Sequence, residues 1–447
     1  MTQTMQLSEQ PIAIKTELPG PIARDMIAKE RPFVSPSLID YLPLMVKRAS
    51  GCMIEDMDGN VLLDMQAGIA TNSTGHCHPK VVKAIQEQAE VLLHICGTDF
   101  HYPGYGRLCE ILDRLAPGTE PWQSFLTNSG TEGIEAAIKL ARFHTGRSNL
   151  IAFRGAFHGR SMGAVTLTGS KPKYRKGFGP MLYGVHHVDY FHGKRCRVGR
   201  APAECAVQCL RDSIEGDLFS HTVDPSEVAA IFVEPIQGEG GYIVPHKAFL
   251  HELRALCDRH GILLVFDEVQ SGMGRTGKML ASEHFGVTPD IIVLAKGLAS
   301  GMPLGAMMAR KSVMTWGPGT HGSTIGGNPV SIAAALASIE LLETELCANA
   351  AKVGDHLMAR LRASLYPDTK GQHGVDEVRG LGLMIGVEFD TPELAGKVAQ
   401  LCYQRGMIVL ECGHKTIRLA PPLVLSQAQS DLAADIFIQA CRDVAKV

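Results

Sequence analysis

A lysine directly follows a short run of large aliphatic residues. Lys296 stands between Ala295 and Gly297, and the run at 291–294 is too short for a helix and typical of a buried strand. Most lysines lie on solvated faces, so an ordinary surface role is the alternative. A lysine held at the mouth of a sheet can form a Schiff base with a carbonyl cofactor once its amine loses a proton. The small neighbours predict room for a flat ring.

Two carboxylates also stand at the ends of strand-like runs, Asp267 after 261–266 and Glu234 after 229–233. A buried carboxylate is costly unless it is paired. A protonated pyridine nitrogen would suit Asp267, because the pair keeps the ring electron-withdrawing. A helix cap or a salt bridge with Arg275 is the alternative. Gln270, three residues further on, could donate to a ring hydroxyl.

Residues 128–132 follow another strand-like run and open an amphipathic helix. The small residues Ser129, Gly130 and Thr131 would leave backbone N–H groups free to bind an anion such as phosphate. The alternative is an ordinary N-cap formed by Ser129 or Thr131.

Other side chains could bind a cofactor or a substrate. Phe157 could stack on a flat ring, although simple core packing is commoner for phenylalanine. Arg160 could hold a carboxylate as a bidentate donor. Arg418 is a lone charge in an apolar strand and therefore needs a partner. Glu239, beside a glycine turn, could neutralise an arginine when no substrate acid is present.

Potential metal ligands occur in one basic, insertion-like stretch. They are His192, Cys196, Cys205 and Cys209. Their spacing matches no common zinc or iron–sulfur template, so free thiols are the expected state and no metal is predicted. The 12 cysteines of the chain are scattered, which is typical of reduced thiols in a cytosolic protein.

These side chains need a scaffold that brings strand ends together. Between about 120 and 310, strand-like runs alternate with helical patterns. The alternation predicts an α/β fold with a mostly parallel sheet covered by helices on both faces, in which ligands bind outside the carboxyl ends of the strands. The predicted strands are 124–127, 150–153, 229–233, 262–266, 291–294 and 306–309.

The flanking regions differ from this central part. The sequence predicts a proline-rich arm and a hairpin segment in residues 1–65, a large cofactor-binding domain in 66–330 and a smaller α+β domain in 331–447.

A formal net charge of −3 argues against a broad nucleic-acid surface. No apolar run approaches the roughly 20 residues of a membrane helix, and residues 1–10 do not read as a targeting peptide. A cytoplasmic protein is expected.

Taken together, the motifs resemble the class III family of pyridoxal-phosphate-dependent aminotransferases, of the aspartate aminotransferase type (fold type I). The resemblance is to 4-aminobutyrate, acetylornithine and ornithine aminotransferases, and it covers most of the chain. Each motif alone is weak, but their joint order is specific. The matching segments are residues 128–132, 157–160, 234–241, 267–272, 295–297 and 322–329.

The resemblance implies pyridoxal 5'-phosphate as cofactor and assigns roles by position. Lys296 would form the internal aldimine and move the proton, and Asp267 would pair with the pyridine nitrogen. Thr324 would reach the phosphate of a neighbouring subunit, which implies a homodimer with sites at the interface and leaves a tetramer open. The other implied cofactor contacts are Ser129, Gly130, Thr131, Phe157, His158, Glu234 and Gln270.

The same resemblance implies how substrates bind. Arg418 would hold the α-carboxylate of glutamate or 2-oxoglutarate, Glu239 would mask it in the other half-reaction, and Arg160 would hold the far carboxylate. The expected reaction moves an amino group from an amino acid or ω-amino acid to a 2-oxo acid. The arm and the cysteine-bearing insertion resemble a branch that includes amino-acid racemases, so racemisation is the alternative. A non-catalytic binding protein is a further alternative, against which Lys296 and Asp267 argue.

Overall fold

Helices and strands alternate along most of the chain in the computed structural model, which describes residues 6–39, 41–193, 201–367 and 372–445. The α-helices are α1 Pro21–Glu30, α2 Ala67–Ala70, α3 Pro79–Val91, α4 Pro103–Leu115, α5 Gly130–Thr145, α6 Met162–Leu167, α7 Pro202–Arg211, α8 Phe219–His221, α9 Lys247–His260, α10 Pro329–Leu341, α11 Cys347–Leu365, α12 Pro392–Gln404 and α13 Gln427–Val444. The strands are β1 Val46–Ser50, β2 Met53–Asp56, β3 Val61–Asp64, β4 Trp122–Thr127, β5 Asn149–Phe153, β6 Val185–Val188, β7 Val228–Val233, β8 Leu263–Asp267, β9 Ile291–Leu294, β10 Gly305–Arg310, β11 Val375–Leu381, β12 Met384–Phe389, β13 Met407–Ile408, β14 Leu410–Cys412 and β15 Thr416–Leu419.

The central sheet has seven strands in the order β4-β10-β9-β8-β7-β5-β6. From β6 to β9 every neighbouring pair is parallel, whereas β10 is antiparallel to both β9 and β4. The predicted α/β fold with a mostly parallel sheet is therefore confirmed. All six predicted strands of this region are present with ends shifted by at most two residues.

The two faces of the sheet are both apolar, because successive side chains of a strand point to opposite faces. In β9, Val293 belongs to the core cluster that contains Ile134 of α5. Ile292 and Leu294 belong instead to the cluster that contains Phe249 of α9. Helices on both faces thus explain why β9 is a continuous aliphatic run.

Strand β6 was not predicted from the sequence. It reads Val-His-His-Val and pairs in parallel with β5 at the edge of the sheet. His186 and His187 interrupt the apolar pattern on which the other strand predictions rest. An edge strand needs only one neighbour, so it tolerates this composition.

The C-terminal part contains an antiparallel sheet in the order β11-β12-β15-β14. Strand β13 leaves this region and pairs in parallel with β3. The antiparallel pair of β2 and β3, which was predicted as a hairpin, therefore shares a sheet with a C-terminal strand. Among the described residues, no helix is both long enough and apolar enough to cross a membrane.

Candidate active site

Three neighbouring parallel strands end at the same edge of the central sheet. Strands β7, β8 and β9 are paired in register, with Val233 opposite Phe266 and Asp267 opposite Val293. Glu234, Asp267 and Lys296 lie at or just beyond these carboxyl ends. The structure therefore brings together the three polar residues that the sequence placed at strand ends.

Lys296 lies in a strained turn directly after β9. Its φ of 46° falls in the left-handed region, which is uncommon for a residue with a side chain. Burial, with a further contribution from the charge of Arg418, lowers the pKa of Lys296 to about 8. A substantial fraction of neutral amine is therefore present at mildly alkaline pH.

The glycine after this lysine has a packing role. A Cβ built on Gly297 would lie 2.5 Å from Ser73 Oγ and 3.0 Å from Met273 Cβ. This contact alone requires the smallest residue at 297. Room for a flat ring, which the sequence suggested as the reason, stays a prediction.

Asp267 is held by two hydrogen bonds at the end of β8. Its Oδ2 accepts from His158 Nδ1 at 2.8 Å, and its Oδ1 accepts from the backbone N–H of Val269 at 3.0 Å. Although burial opposes protonation of His158, the hydrogen bond with Asp267 raises the pKa of that imidazole. Arg275 instead donates to the carbonyls of Leu383 and Pro421, so the alternative of a salt bridge with Asp267 is wrong.

Glu234 joins two loops beneath the site. Its carboxylate accepts from the backbone N–H of Phe157 and from that of Gly238, each at 3.0 Å. Burial raises the pKa of Glu234 to about 7 despite these bonds. Glu234 thereby fixes the position of Phe157, whose ring meets the ring of Tyr174 edge-on at 5.5 Å.

The first turn of α5 lies against the segment that follows Asp267. A Cβ built on Gly130 would lie 2.8 Å from Val269 Cγ2. Ser129 is the N-cap, because its hydroxyl accepts from the N–H of Glu132. The Thr131 hydroxyl lies 2.6 Å from that of Ser161. The N-cap alternative is thus correct for Ser129, and the remaining N–H groups of the first turn have no partner within the helix.

Gln270 carries an unsatisfied polar atom. Its Oε1 is buried and has no hydrogen-bond partner among the described residues. The side chain is close to Gly238, where a Cβ would lie 2.8 Å from Gln270 Nε2. A buried amide oxygen without a partner is rare in folded proteins, and an ordered water or a bound group can supply the missing donor.

Glu239 accepts two hydrogen bonds and forms an ion pair with a second cation. Lys171 Nζ and the Tyr174 hydroxyl donate to Oε1 at 2.8 and 3.1 Å, whereas Arg418 Nη1 lies 3.3 Å from Oε2 and pairs with it by charge alone. Although burial opposes ionisation, Arg418 and Lys171 lower the pKa of Glu239. The predicted proximity of Glu239 and Arg418 is confirmed. Lys171 and Tyr174 were missed, because a loop lysine and a loop tyrosine carry no local signal.

The remaining predicted residues lie at the periphery. Arg160 is exposed, and its guanidinium lies 4.1 Å from the ring centre of Tyr174. Thr324 is exposed as well, and within the described ranges no hydrogen bond links it to another site residue.

The suggested metal ligands do not form one described group. Cys196 lies outside the described residues, and Cys205 takes part in a disulfide, so the expectation of a free thiol is wrong at that position. His192 lies with Glu377 and Glu388 instead. The guanidinium of Arg379 binds both of these carboxylates. Its positive charge occupies the position between them where a cation would bind.

Residues 35–441 match the family model described as "Aminotransferase class-III". An alanine/serine racemase from Pyrococcus horikoshii is 39% identical over 95% of this chain and 91% of its own length. A 5-aminovalerate aminotransferase from Pseudomonas aeruginosa is 37% identical over 90% of this chain and 94% of its own. An ornithine aminotransferase from Toxoplasma gondii, whose structure has partial occupancy of pyridoxal phosphate, aligns with a TM-score of 0.83 at 30% identity and covers 95% of both chains.

The described residues fit pyridoxal phosphate. The fit rests on an amine of lowered pKa, a buried carboxylate and the N-terminus of a 16-residue helix, all near one sheet edge. A phosphate suits the helix N-terminus, an aldehyde suits the lysine, and a pyridinium nitrogen suits the carboxylate.

Proposed function

Because this chain belongs to the class III aminotransferases, which use pyridoxal phosphate, we propose that it transfers the amino group of an ω-amino acid or related amine to 2-oxoglutarate. The observation that carries the proposal is the contact between Glu239 and Arg418 at 3.3 Å. Arg418 is 5% exposed and lies on β15, so its buried charge needs an anion. A carboxylate of the protein or of the substrate can supply that anion.

Lys296 moves the proton in this proposal. Bound pyridoxal phosphate supplies an aldehyde for the amine and a ring that withdraws electrons from the carbon bearing the substrate nitrogen. Lys296 Nζ, whose pKa burial lowers to about 8, accepts a proton as the neutral amine. Its place beyond β9, beside Asp267 and Glu234, keeps the amine at the strand ends where the cofactor would bind.

Asp267 and its partner would hold the ring. Asp267 would bind the pyridine nitrogen, and the hydrogen bond from His158 orients the carboxylate. Gln270 would donate to the ring oxygen, and Phe157, held by Glu234, would cover one face of the ring. Ser129, Gly130 and Thr131 would bind the phosphate at the start of α5.

The position of Glu239 determines which carboxylate pairs with the Arg418 guanidinium. With an ω-amine donor that has no α-carboxylate, Glu239 neutralises the guanidinium. With 2-oxoglutarate, the α-carboxylate takes this place, and Arg160, exposed at the rim beside Tyr174, would bind the far carboxylate. One site could therefore accept two substrate types in turn.

The test is a panel of amino donors, each incubated with 2-oxoglutarate and the purified holoenzyme. Formation of glutamate from one or more ω-amino acids supports the proposal. If no donor yields glutamate while another 2-oxo acid is aminated, the acceptor assignment is wrong.

A racemase is the second candidate, because the alanine/serine racemase named above is similar over nearly the whole chain. Racemisation needs the same loss of a proton but returns it to the opposite face of the substrate carbon. Conversion of one enantiomer of an amino acid into the other, without any glutamate, would establish this candidate in place of the transaminase.

We further propose that the active unit is a homodimer. Thr324 is exposed in the single chain, and its neighbour Ile325 is 55% exposed. An adjoining subunit would bury this loop and bring Thr324 to the neighbour's phosphate, as the resemblance implies. Light scattering of the holoenzyme should give twice the mass of 48.2 kDa, and a monomer would contradict the proposal.

A further inference from the structure

Glu239 has a second cationic partner besides Arg418. Lys171 Nζ lies 2.8 Å from Oε1, and the Tyr174 hydroxyl donates to the same oxygen at 3.1 Å. Arg418 contacts the other oxygen, Oε2, at the longer distance of 3.3 Å. The two cations therefore hold different oxygens of one carboxylate.

This division matters when Glu239 leaves Arg418. A buried carboxylate that lost its only cation would be left unpaired, which is strongly unfavourable. Oε1 can keep both of its donors while Oε2 turns away from the guanidinium. Lys171 is itself only partly exposed, with 23% of its side chain accessible, so solvent does not fully screen its charge.

We infer that Lys171 is a positioning residue that holds Glu239 when Arg418 is released to the substrate α-carboxylate. This inference rests on the proposed function. Lys171 acts through Glu239 and thereby favours the open state of the Glu239–Arg418 pair. Without Lys171, the open state loses its counter-ion, and the closed pair becomes the more stable arrangement.

Two other roles of Lys171 would give different experimental results. If Lys171 bound the far carboxylate of the substrate directly, its loss would weaken substrate binding whether or not residue 239 is charged. If it only stabilised the loop, its loss would affect both half-reactions and the melting temperature. The inferred role affects the carboxylate-bearing acceptor alone, and only while Glu239 keeps its charge.

The experiment is a double-mutant cycle of Lys171→Met and Glu239→Gln in the holoenzyme. In Lys171→Met, we expect the KM for 2-oxoglutarate to rise about tenfold, which corresponds to about 1.4 kcal/mol. We expect the acceptor kcat and the ω-amine half-reaction to stay within about twofold. In the Glu239→Gln background, the same replacement should have no effect. Lys171→Arg should restore binding.

Binding of glutarate, a dicarboxylate without a reactive carbonyl, gives a readout that is independent of turnover. Calorimetry should show that Lys171→Met lowers the affinity for glutarate about tenfold, and that the same replacement does not lower it in the Glu239→Gln background. The matched control is Lys173→Met, an exposed lysine near the same Tyr174 ring at 5.5 Å, which should leave binding unchanged. If Lys171→Met does not fold, Lys171→Gln is measured instead, since it also removes the charge.

If Lys171→Met still weakens binding of 2-oxoglutarate and glutarate in the Glu239→Gln background, the inference is overturned and Lys171 is a substrate ligand. Equal losses of activity in both half-reactions, or unchanged acceptor binding in Lys171→Met, would also overturn it. A wild-type enzyme that does not use 2-oxoglutarate would instead contradict the proposed function, so the two failures are distinguishable.

Discussion

Asp267 Oδ2 lies 2.8 Å from His158 Nδ1, and both side chains are buried, with 5% and 3% exposed. The two residues are 109 positions apart in the chain. His158 is itself fixed, because its backbone N–H donates to the Thr168 hydroxyl at 3.0 Å. The carboxylate that would meet the cofactor ring therefore has an imidazole behind it that sets its orientation.

Replacing His158 with Ala should weaken the cofactor site without unfolding the protein. Asp267 would lose a hydrogen bond to a charged group, which is worth about 1.5–3 kcal/mol. We expect the dissociation constant of pyridoxal phosphate, measured by dialysis, to rise about tenfold or more. His187→Gln is the control, because His187 donates to the Leu167 carbonyl and does not contact Asp267. Equal effects of the two replacements would contradict a specific role for His158.

Replacing Lys296 with Ala should abolish transamination and the absorbance of the lysine-bound cofactor, while circular dichroism stays unchanged. No other residue proposed for the site carries an amine at the ends of the central strands. Lys311→Ala removes an exposed lysine just beyond β10 and should retain full activity. Persistent turnover in Lys296→Ala would place the chemistry on another residue.

The apoprotein should bind the cofactor aldehyde faster as pH rises. Only the neutral amine attacks a carbonyl, and burial lowers the pKa of Lys296 to about 8. Below that pH the amine is protonated, so the stopped-flow rate should increase with pH and level off above about 8. A rate that continues to increase past pH 10 would indicate an ordinary lysine pKa of about 10.4.

Replacing Glu239 with Gln should shift the donor preference. The substitution keeps the shape of the side chain but removes the charge that neutralises Arg418. We expect the ratio of kcat/KM for α-amino acids to that for ω-amines to rise about tenfold, which corresponds to about 1.4 kcal/mol. Glu393→Gln, at an exposed position on α12, is the control and should leave the ratio unchanged. An unchanged ratio in Glu239→Gln would show that Glu239 does not mask Arg418.

Replacing Gly130 with Ala should disturb the phosphate and ring contacts together. The new Cβ would lie 2.8–2.9 Å from both methyl groups of Val269, which adjoins Gln270. We expect cofactor affinity to fall about tenfold and the double variant Gly130→Ala, Val269→Ala to recover most of it, since the clash is then removed. Gly106→Ala on α4 has no atom within 4 Å of the new Cβ and should not weaken binding. Failure of the double variant to recover would exclude steric displacement as the cause.

The sequence by itself determined the strands and what stands at their ends. Six of the seven central strands lie within two residues of their predicted positions. Local patterns can do this because strand and helix periodicity depends on neighbouring residues. The parallel order then follows from the alternation with helices, and with it the meeting of Glu234, Asp267 and Lys296 at one edge.

Tertiary structure alone decided the partners of these residues. The sequence offered Arg275 as a partner of Asp267, but the structure pairs Asp267 with His158 and directs Arg275 to two backbone carbonyls. It also adds Lys171 to Glu239. Loops of irregular backbone bring these side chains together, and no local periodicity encodes where such loops meet. The family motifs identify the residues of the site, whereas only the folded chain shows which donor holds which oxygen.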